Sequence, residues 1–286
     1  RYSSSAASDV YKRQEKDPII VKSIPIYQVD AFSKKVFSGN PAAVCILDNW
    51  LSDGVMQAIA SENNLSETAF INMNTKPFGI RWFTPECEMG LCGHATLASA
   101  RVLFDEYMDR DQKEITFSAQ RGLLKTIKKS EQIFLDFPAD EPIEQEINNV
   151  IRESVGANIQ QLFKGRDDYL AILDNEASIR NISVNMSKVS ELDARGLIVS
   201  AQGDEYDFVS RCFYPKSKID EDPVTGSAHT LLIPYWADIL KKNNLKAYQC
   251  SERGGALICE LKGDRVFIGG YTARYLDGNI YLNSKD

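Results

Sequence analysis

The residues with the clearest chemical potential lie in a stretch that the chain contains twice. The first copy is RWFTPECEMGLCGHATLASA over residues 81–100, and the second is RCFYPKSKIDEDPVTGSA over residues 211–228. Both copies begin with Arg-x-Phe-x-Pro. After a short insertion, Glu88, Gly93 and Ala95 of the first copy align with Glu221, Gly226 and Ala228 of the second. Each copy is typical of a strand, an acidic loop and a turn that begins an apolar helix.

The two predicted helix starts could bind an anion. The first N–H groups of a helix have no acceptor within the helix, and this end of the helix dipole is positive. Gly93 and Gly226 would let a ligand approach the backbone, and His94 and Ser227 would place a polar side chain beside the same N–H groups. If the two halves pack about a pseudo-two-fold axis, the helix starts face each other across a cleft that suits a small carboxylate.

Glu67 could move a proton in such a cleft. It stands in Leu65–Ile71, LSETAFI, between small hydroxyl residues and an apolar run that indicates a strand. A carboxyl group buried at such a place has a raised pKa, close to the range that serves proton transfer at neutral pH. A strand-start Glu that faces solvent is the open alternative from this residue alone.

The remaining pattern supplies the elements that would hold these residues. Residues 1–16 show no periodicity and are interpreted as a tail outside the fold, residues 17–137 as a first half that a last strand at 276–286 could complete, and residues 138–275 as a second half. Helices are predicted over Asp53–Asn63, Ala95–Phe104, Glu144–Val155 and from Ser227 to about Lys242, with strands between them and antiparallel strands over Tyr248–Leu282.

Composition excludes several classes of partner. The chain of 286 residues is 43% hydrophobic and 26% charged, which indicates a soluble globular protein of two domains. A formal net charge of −7 without a long Lys/Arg block argues against nucleic acid and anionic membranes as partners. Six cysteines without a secretory segment favour free thiols and a cytoplasmic location.

Several motifs together resemble the phenazine-biosynthesis PhzF-like isomerases. The resemblance runs from about Ile24 to the C-terminus and rests on Gly39–Ala42, Leu65–Phe70, Arg81–Pro85, Cys92–Thr96 and Asp222–Ala228. It implies a diaminopimelate-epimerase-like α/β (α+β) fold. In that fold two similar domains, related by a pseudo-two-fold axis, each wrap a barrel-like sheet around a central helix. It also implies chemistry without a cofactor or a metal, a site between the domains, and commonly a homodimer.

The resemblance also assigns roles residue by residue. Glu67 matches the catalytic acid/base, and His94 and Asp222 match its polar partners. Asn40, Gly93, Gly226 and Ser227 match positions that bind the substrate and its carboxylate. The implied activity is the movement of a proton between carbons of a small carboxylate-bearing substrate, whose identity the sequence does not specify.

Two rival hypotheses stay open at this point. A two-base racemase or epimerase would use a Cys before each Gly turn. Cys92 precedes Gly93, but Thr225 precedes Gly226, and a hydroxyl is far too weakly acidic to act as the second base. A binding protein that kept the fold without the chemistry is the other rival. A metal site from Cys87 and Cys92 is not expected, because no second ligand pair follows.

Overall fold

A computed structural model of the chain describes residues 21–283. The predicted tail over residues 1–16 lies outside the described residues. The first half contains eight strands and two helices in the described part of the chain: β1 (Val21–Ala31), β2 (Asn40–Leu47), α1 (Asp53–Asn63), β3 (Glu67–Asn72), β4 (Phe78–Phe83), β5 (Glu88–Met89), α2 (Gly93–Glu106), β6 (Glu114–Ala119), β7 (Gly122–Lys129) and β8 (Gln132–Pro138).

The rest of the described chain forms the second half and a closing strand. Its elements are β9 (Ile143–Glu144), α3 (Asn149–Val155), β10 (Gln161–Lys164), β11 (Asp168–Ile172), α4 (Glu176–Asn181), α5 (Met186–Glu191), β12 (Gly196–Gln202), β13 (Phe208–Phe213), α6 (His229–Leu240), β14 (Asn244–Gln249), β15 (Gly255–Lys262), β16 (Arg265–Gly270) and β17 (Thr272–Asn283).

Strand pairing follows the same pattern in both halves. In the first half the order β17-β1-β2-β3-β4-β6-β7-β8 is antiparallel except for the parallel pairs β2–β3 and β4–β6. In the second half the order β9-β10-β11-β12-β13-β14-β15-β16 is antiparallel except for β11–β12 and β13–β14. The expected arrangement of two similar halves is therefore confirmed.

Each half surrounds one apolar helix. Helix α2 is buried along nearly its whole length and contacts β1, β2, β3, β8 and β17, while α6 contacts β14, β15 and β16. Small residues such as Ala95, Ala98 and Ala100 are fully buried and let the strands of the first half approach α2 closely. Helix α1 has the predicted bounds because the Ser52 side chain accepts a hydrogen bond from Val55 N–H and Asn64 ends the helix in the left-handed region.

The closing strand pairs with the first strand that the structure describes. β17 pairs with β1 from Thr272 to Asn283, and β8 pairs with β16, so the sheet runs from one half into the other. The domain boundaries at residues 138 and 276 stay a prediction. Within the part of the chain that the structure describes, no helix is both long enough and apolar enough to cross a membrane.

Three predicted helices have different bounds. The helix predicted over Ala95–Phe104 runs from Gly93 to Glu106, since Cys92 is the residue that caps its start and Tyr107 the residue that caps its end. The helix predicted over Glu144–Val155 covers only Asn149–Val155, because Ile143 and Glu144 pair with β10 and the Asn148 side chain caps the helix by accepting from Ile151 N–H. The helix predicted from Ser227 begins at His229, since a tight turn in which His229 N–H bonds to the Gly226 carbonyl precedes it.

Candidate active site

Glu67 lies inside the protein at the first residue of β3. All six residues of this strand are buried, and Glu67 itself is 7% exposed. The strand lies between its parallel neighbour β2 and its antiparallel neighbour β4. Glu67, at the start of the strand, lines a cavity to which residues of both halves contribute. The alternative of a solvent-facing Glu at the start of the strand is wrong.

His94 approaches Glu67 from the first turn of α2. The two residues are nearly fully buried, and His94 Nε2 lies 3.2 Å from Glu67 Oε2. Burial lowers the pKa of His94 to about 3, so the ring is neutral at physiological pH. Asn40 Nδ2 uses its hydrogens on Asp222 and Val224, so it has none left for His94 Nδ1 at 3.2 Å, and the backbone of Pro41 favours a protonated ring nitrogen. We therefore assign the proton to Nδ1, which leaves the Nε2 lone pair facing Glu67.

Asp222 comes to the same place from the loop of the second half. Its Oδ1 accepts from Asn40 Nδ2 at 2.8 Å, and its Oδ2 accepts from the Thr225 hydroxyl. The loop is held by buried Gln249, whose Oε1 accepts from Thr225 N–H and whose Nε2 donates to the Asp222 carbonyl. Asn40 thus binds Asp222 of the second half and lies beside His94 of the first, with its Nδ2 3.2 Å from His94 Nδ1.

The two carboxyl groups shift each other's ionisation. Burial, and then the negative charge of Asp222, raise the pKa of Glu67 to about 8, while a hydrogen bond from the Cys92 thiol opposes the shift. Burial also raises the pKa of Asp222, although hydrogen bonds from Thr225 and Asn40 and the charge of Arg195 act in the other direction. Asp222 has more compensating donors, so Glu67 is the group that holds a proton near neutral pH.

The two glycine turns face each other across a small cavity. A Cβ atom built on Gly93 would lie 3.4 Å from the Cα of Gly226, and the converse distance is the same. Glu67, His94, Asp222, Gly93, Gly226 and Ser227 all line one cavity of about 50 Å³. Asn40 lies behind this wall, fully buried. The structure therefore brings all seven predicted site residues together, with Asn40 as a support rather than a lining residue.

Arg195 is a lining residue that the sequence analysis missed. Its guanidinium forms a two-pronged ion pair with buried Asp168, and its Nη1 donates to Ser227 Oγ at 3.1 Å. The guanidinium also lies 4.8 Å from the centroid of the Tyr214 ring. Arg195 is the one cationic side chain among the residues that line this cavity in the described part of the chain. No pattern in the sequence points to it, because Arg195 belongs to no repeated motif.

The two halves differ at the strand that carries the acid. Glu67 pairs with Ala42 in the parallel pair β2–β3, and Gly196 pairs with Asp168 in the corresponding pair β11–β12. Gly196 thus takes the place of Glu67 in the second half, and Arg195 the place of Ser66. The site contains one strand-start acid and a cation opposite it, rather than two equivalent bases.

Cys92 lies in the cavity but is not ionised at neutral pH. Burial raises its pKa well above the usual value, and the charge of Glu67 adds to the shift. The donor atoms of Glu67, Cys92 and His94 lie within 4.8 Å of one another, a spacing that could hold a metal ion. Such an ion would have to displace protons from both Glu67 and Cys92. We therefore interpret the three residues as a proton-transfer cluster.

His229 packs in the core, where its Nδ1 is 2.8 Å from the Thr225 carbonyl.

The amino-acid sequence of the chain is similar to that of known proteins. Residues 29–278 match the family described as phenazine biosynthesis-like protein (PhzC-PhzF). An uncharacterised isomerase of Pseudomonas aeruginosa is 46% identical over 260 residues, which cover 91% of this chain and 99% of the relative. An uncharacterised isomerase of Halalkalibacterium halodurans is also 46% identical, over 90% of this chain and 98% of the relative.

Solved structures agree with the sequence match. The crystal structure of a PhzF-family phenazine biosynthesis protein of Enterococcus faecalis is 48% identical and superposes with a TM-score of 0.88, covering 91% of this chain and all of the other. The expected fold of two similar α/β domains is confirmed at this level of similarity.

Proposed function

Because the chain belongs to the phenazine biosynthesis-like (PhzC-PhzF) family, we propose that it is a cofactor-independent isomerase that moves a proton between two carbons of a small carboxylate-bearing substrate. Glu67 is the acid/base in this proposal. The observation that carries it is the buried carboxyl group of Glu67, with a pKa near 8, at the wall of the cavity between the two glycine turns.

The reaction needs one group that removes a proton and later returns it. Ionised Glu67 takes the proton from a substrate carbon, and the electron pair left behind moves into the adjoining unsaturated system of the substrate. Protonated Glu67, part of which has exchanged its proton with solvent in the meantime, then delivers a proton to a second carbon of that system, and the electron pair forms the new C–H bond. A pKa near the working pH suits both steps, since Glu67 must be a base in the first and an acid in the second.

The intermediate carries additional negative charge on the substrate. The Gly93 turn and the Gly226 turn line the cavity where this charge would develop, and the free N–H groups of such turns can bind it. Arg195 adds a positive charge and, by donating to Ser227 Oγ, leaves the Ser227 hydroxyl hydrogen free to bond to the substrate. A carboxylate that lies between these donors is the chemical feature that we expect every substrate to share.

His94 and Asp222 support Glu67 in different ways. The His94 Nε2 lone pair can accept a hydrogen bond from protonated Glu67, which fixes the direction of the carboxyl group. The negative charge of Asp222 keeps the pKa of Glu67 high, so that the ionised form is a strong base. Asp222 also lines the cavity, where its own carboxylate can accept from a substrate donor.

The two-base alternative is disfavoured by the position of Thr225. The Thr225 hydroxyl donates to Asp222, and Thr225 N–H donates to Gln249, so this residue supports the loop rather than facing a substrate carbon as a base. Gly196 at the place equivalent to Glu67 removes the other possible second base.

Deuterium exchange from solvent tests the proposal even when the product is unidentified. A panel of small carboxylic acids with acidic C–H bonds is incubated in D₂O with the protein, and incorporation is followed by mass spectrometry. We expect exchange with the unchanged protein, and a loss of about 10²–10⁴-fold in Glu67→Gln, the usual contribution of a general base. The exposed Glu62→Gln serves as the matched control and should exchange normally. Equal exchange rates in Glu67→Gln and the unchanged protein would refute the assignment of Glu67.

A further inference from the structure

A second cavity adjoins the catalytic one. It has a volume of about 260 Å³, and Leu91 and Ser227 line both cavities. The catalytic cavity is smaller, at about 50 Å³. A substrate whose reacting end lies beside Glu67 therefore has the second, larger cavity as its adjacent space.

Arginine side chains surround this second cavity. Arg121, Arg166 and Arg265 line it together with Asp136, Asp140 and Asp167. Most of the acidic groups have compensating partners. Asp136 accepts from Arg265 Nε at 2.8 Å, and Asp140 accepts from the backbone N–H of Arg166 with both oxygens. The negative charge of Asp167 acts to raise the pKa of Arg195 at the neighbouring catalytic site.

The guanidinium groups of Arg121 and Arg166 are the ones that could bind an anionic ligand in this cavity. Within residues 21–283, neither Arg121 nor Arg166 forms a close ion pair, although the charge of Arg166 acts to lower the pKa of nearby Asp140. Arg121 lies against the loop that roofs the catalytic cavity, since a Cβ atom on Gly90 would come within 2.9 Å of Arg121 Nε. Asp168 of β11 occupies the place that Ala42 of β2 occupies in the first half. Arg166, two residues before Asp168, therefore corresponds to Asn40, two residues before Ala42.

We propose that this second cavity is a subsite for a second anionic group of the substrate, bound by Arg121 and Arg166 while the reacting carboxylate lies between the glycine turns. The inference rests on the proposed function, because it takes the catalytic cavity as the place of the first carboxylate. It narrows the substrate class to compounds with two acidic groups separated by a carbon chain or ring. Ser227, on the wall between the cavities, would contact the segment that joins the two groups.

Calorimetric titration with simple carboxylates tests the subsite independently of turnover. The probes are linear dicarboxylates of increasing chain length and the monocarboxylate that matches each in length. The proteins are the unchanged chain, Arg121→Ala, Arg166→Ala and, as a matched control, Arg110→Ala, which removes an exposed arginine that does not line the cavity. We expect one chain length to bind more tightly than its monocarboxylate.

For that dicarboxylate we expect affinity to fall about twofold to fivefold in Arg121→Ala and in Arg166→Ala, the range for exposed charge pairs at low salt. Monocarboxylate binding should stay unchanged in both variants, and Arg110→Ala should change neither. Equal affinities of dicarboxylates and monocarboxylates, or insensitivity to both substitutions, would overturn the subsite.

Two further results separate this inference from its premise. If the unchanged protein binds no monocarboxylate, the anion site between the glycine turns is wrong and the subsite falls with it. If inorganic phosphate binds at Arg121 and Arg166 without competition from the dicarboxylate, the cavity serves a free anion, and the substrate subsite is overturned while the Glu67 mechanism stands.

Discussion

Gly93 and Gly226 face each other at backbone contact, so that a Cβ atom on either would lie 3.4 Å from the Cα of the other. These residues are far apart in the chain and belong to opposite halves of the fold. Their contact brings the start of α2 and the turn before α6 to one point, where N–H groups from both halves can bind one anion. The cavity therefore depends on the absence of a side chain at both positions.

Gly226→Ala should weaken carboxylate binding while the protein stays folded. Gly226 does not have a positive φ, and 3.4 Å is an ordinary van der Waals distance, so the methyl group can be accommodated but fills the anion site. We expect affinity for a small carboxylate to fall by about tenfold or more, equivalent to about 1.4 kcal/mol. Titration calorimetry measures this loss. Gly54→Ala, where the added Cβ meets open space on α1, is the control and should bind normally.

The pH dependence of exchange should follow the ionisation of Glu67. Only the ionised carboxylate removes a carbon proton, so kcat/KM should rise with pH and level off above a pKa of about 8. In Asp222→Asn the negative charge that raises this pKa is gone, so the rising limb should move to lower pH. The position of the limb, rather than the maximal rate, is the measurement. A limb that stays in place would show that Asp222 does not set the pKa of Glu67.

Glu67 should make the folded protein less stable as pH rises. Its pKa is about 8 in the folded protein and about 4.3 in an unfolded chain. The stability that its protonated form supports is complete below the unfolded pKa, and it is lost as pH rises toward the folded one, at about 1.4 kcal/mol for each unit. Glu67→Gln cannot ionise, so its melting temperature should exceed that of the unchanged protein increasingly from pH about 4.3 to about 8. Thermal denaturation across this range, with Glu62→Gln in parallel, tests the sign.

Cys92→Ala should keep most of the turnover. Burial and the charge of Glu67 hold the thiol in its protonated form, and the residue at the equivalent turn is Thr225. The thiol donates a hydrogen bond that lowers the pKa of Glu67, so its removal should move the rising limb of the pH profile to higher pH. A folded Cys92→Ala variant whose exchange rate falls by several orders of magnitude would instead support the two-base epimerase.

Arg195 should act through Ser227 as well as through its own charge. Arg195→Lys keeps a positive charge but loses the two-pronged contact with Asp168 and the hydrogen bond to Ser227 Oγ. We expect KM to rise more than kcat falls. If Arg195 orients the Ser227 hydroxyl, the effects of Arg195→Lys and Ser227→Ala should not add in the double variant. Additive effects would mean that the two residues contact the substrate independently.

The sequence determined much of the site because the reacting residues lie in short local motifs. The alignment of Glu88 with Glu221 predicts that the two residues occupy equivalent positions in the two halves. The structure shows the same two-pronged ion pair at both, from Arg81 to Glu88 and from Arg211 to Glu221. The bounds of α1 could likewise be predicted from its periodicity and its caps. Such features depend on residues that are close in the chain, and a repeated pattern makes them visible.

The tertiary structure decided which residues complete the cavity. Arg195 reaches it because β11 and β12 pair in parallel with Gly196 opposite Asp168, and a register between strands leaves no signal in the order of residues. The pKa of Glu67 is similarly a property of the assembled site, since it depends on burial by both halves and on the charge of Asp222, which the fold brings from the second half of the chain. Local patterns specify the reacting groups, whereas burial and contacts between distant segments specify their charge states and neighbours.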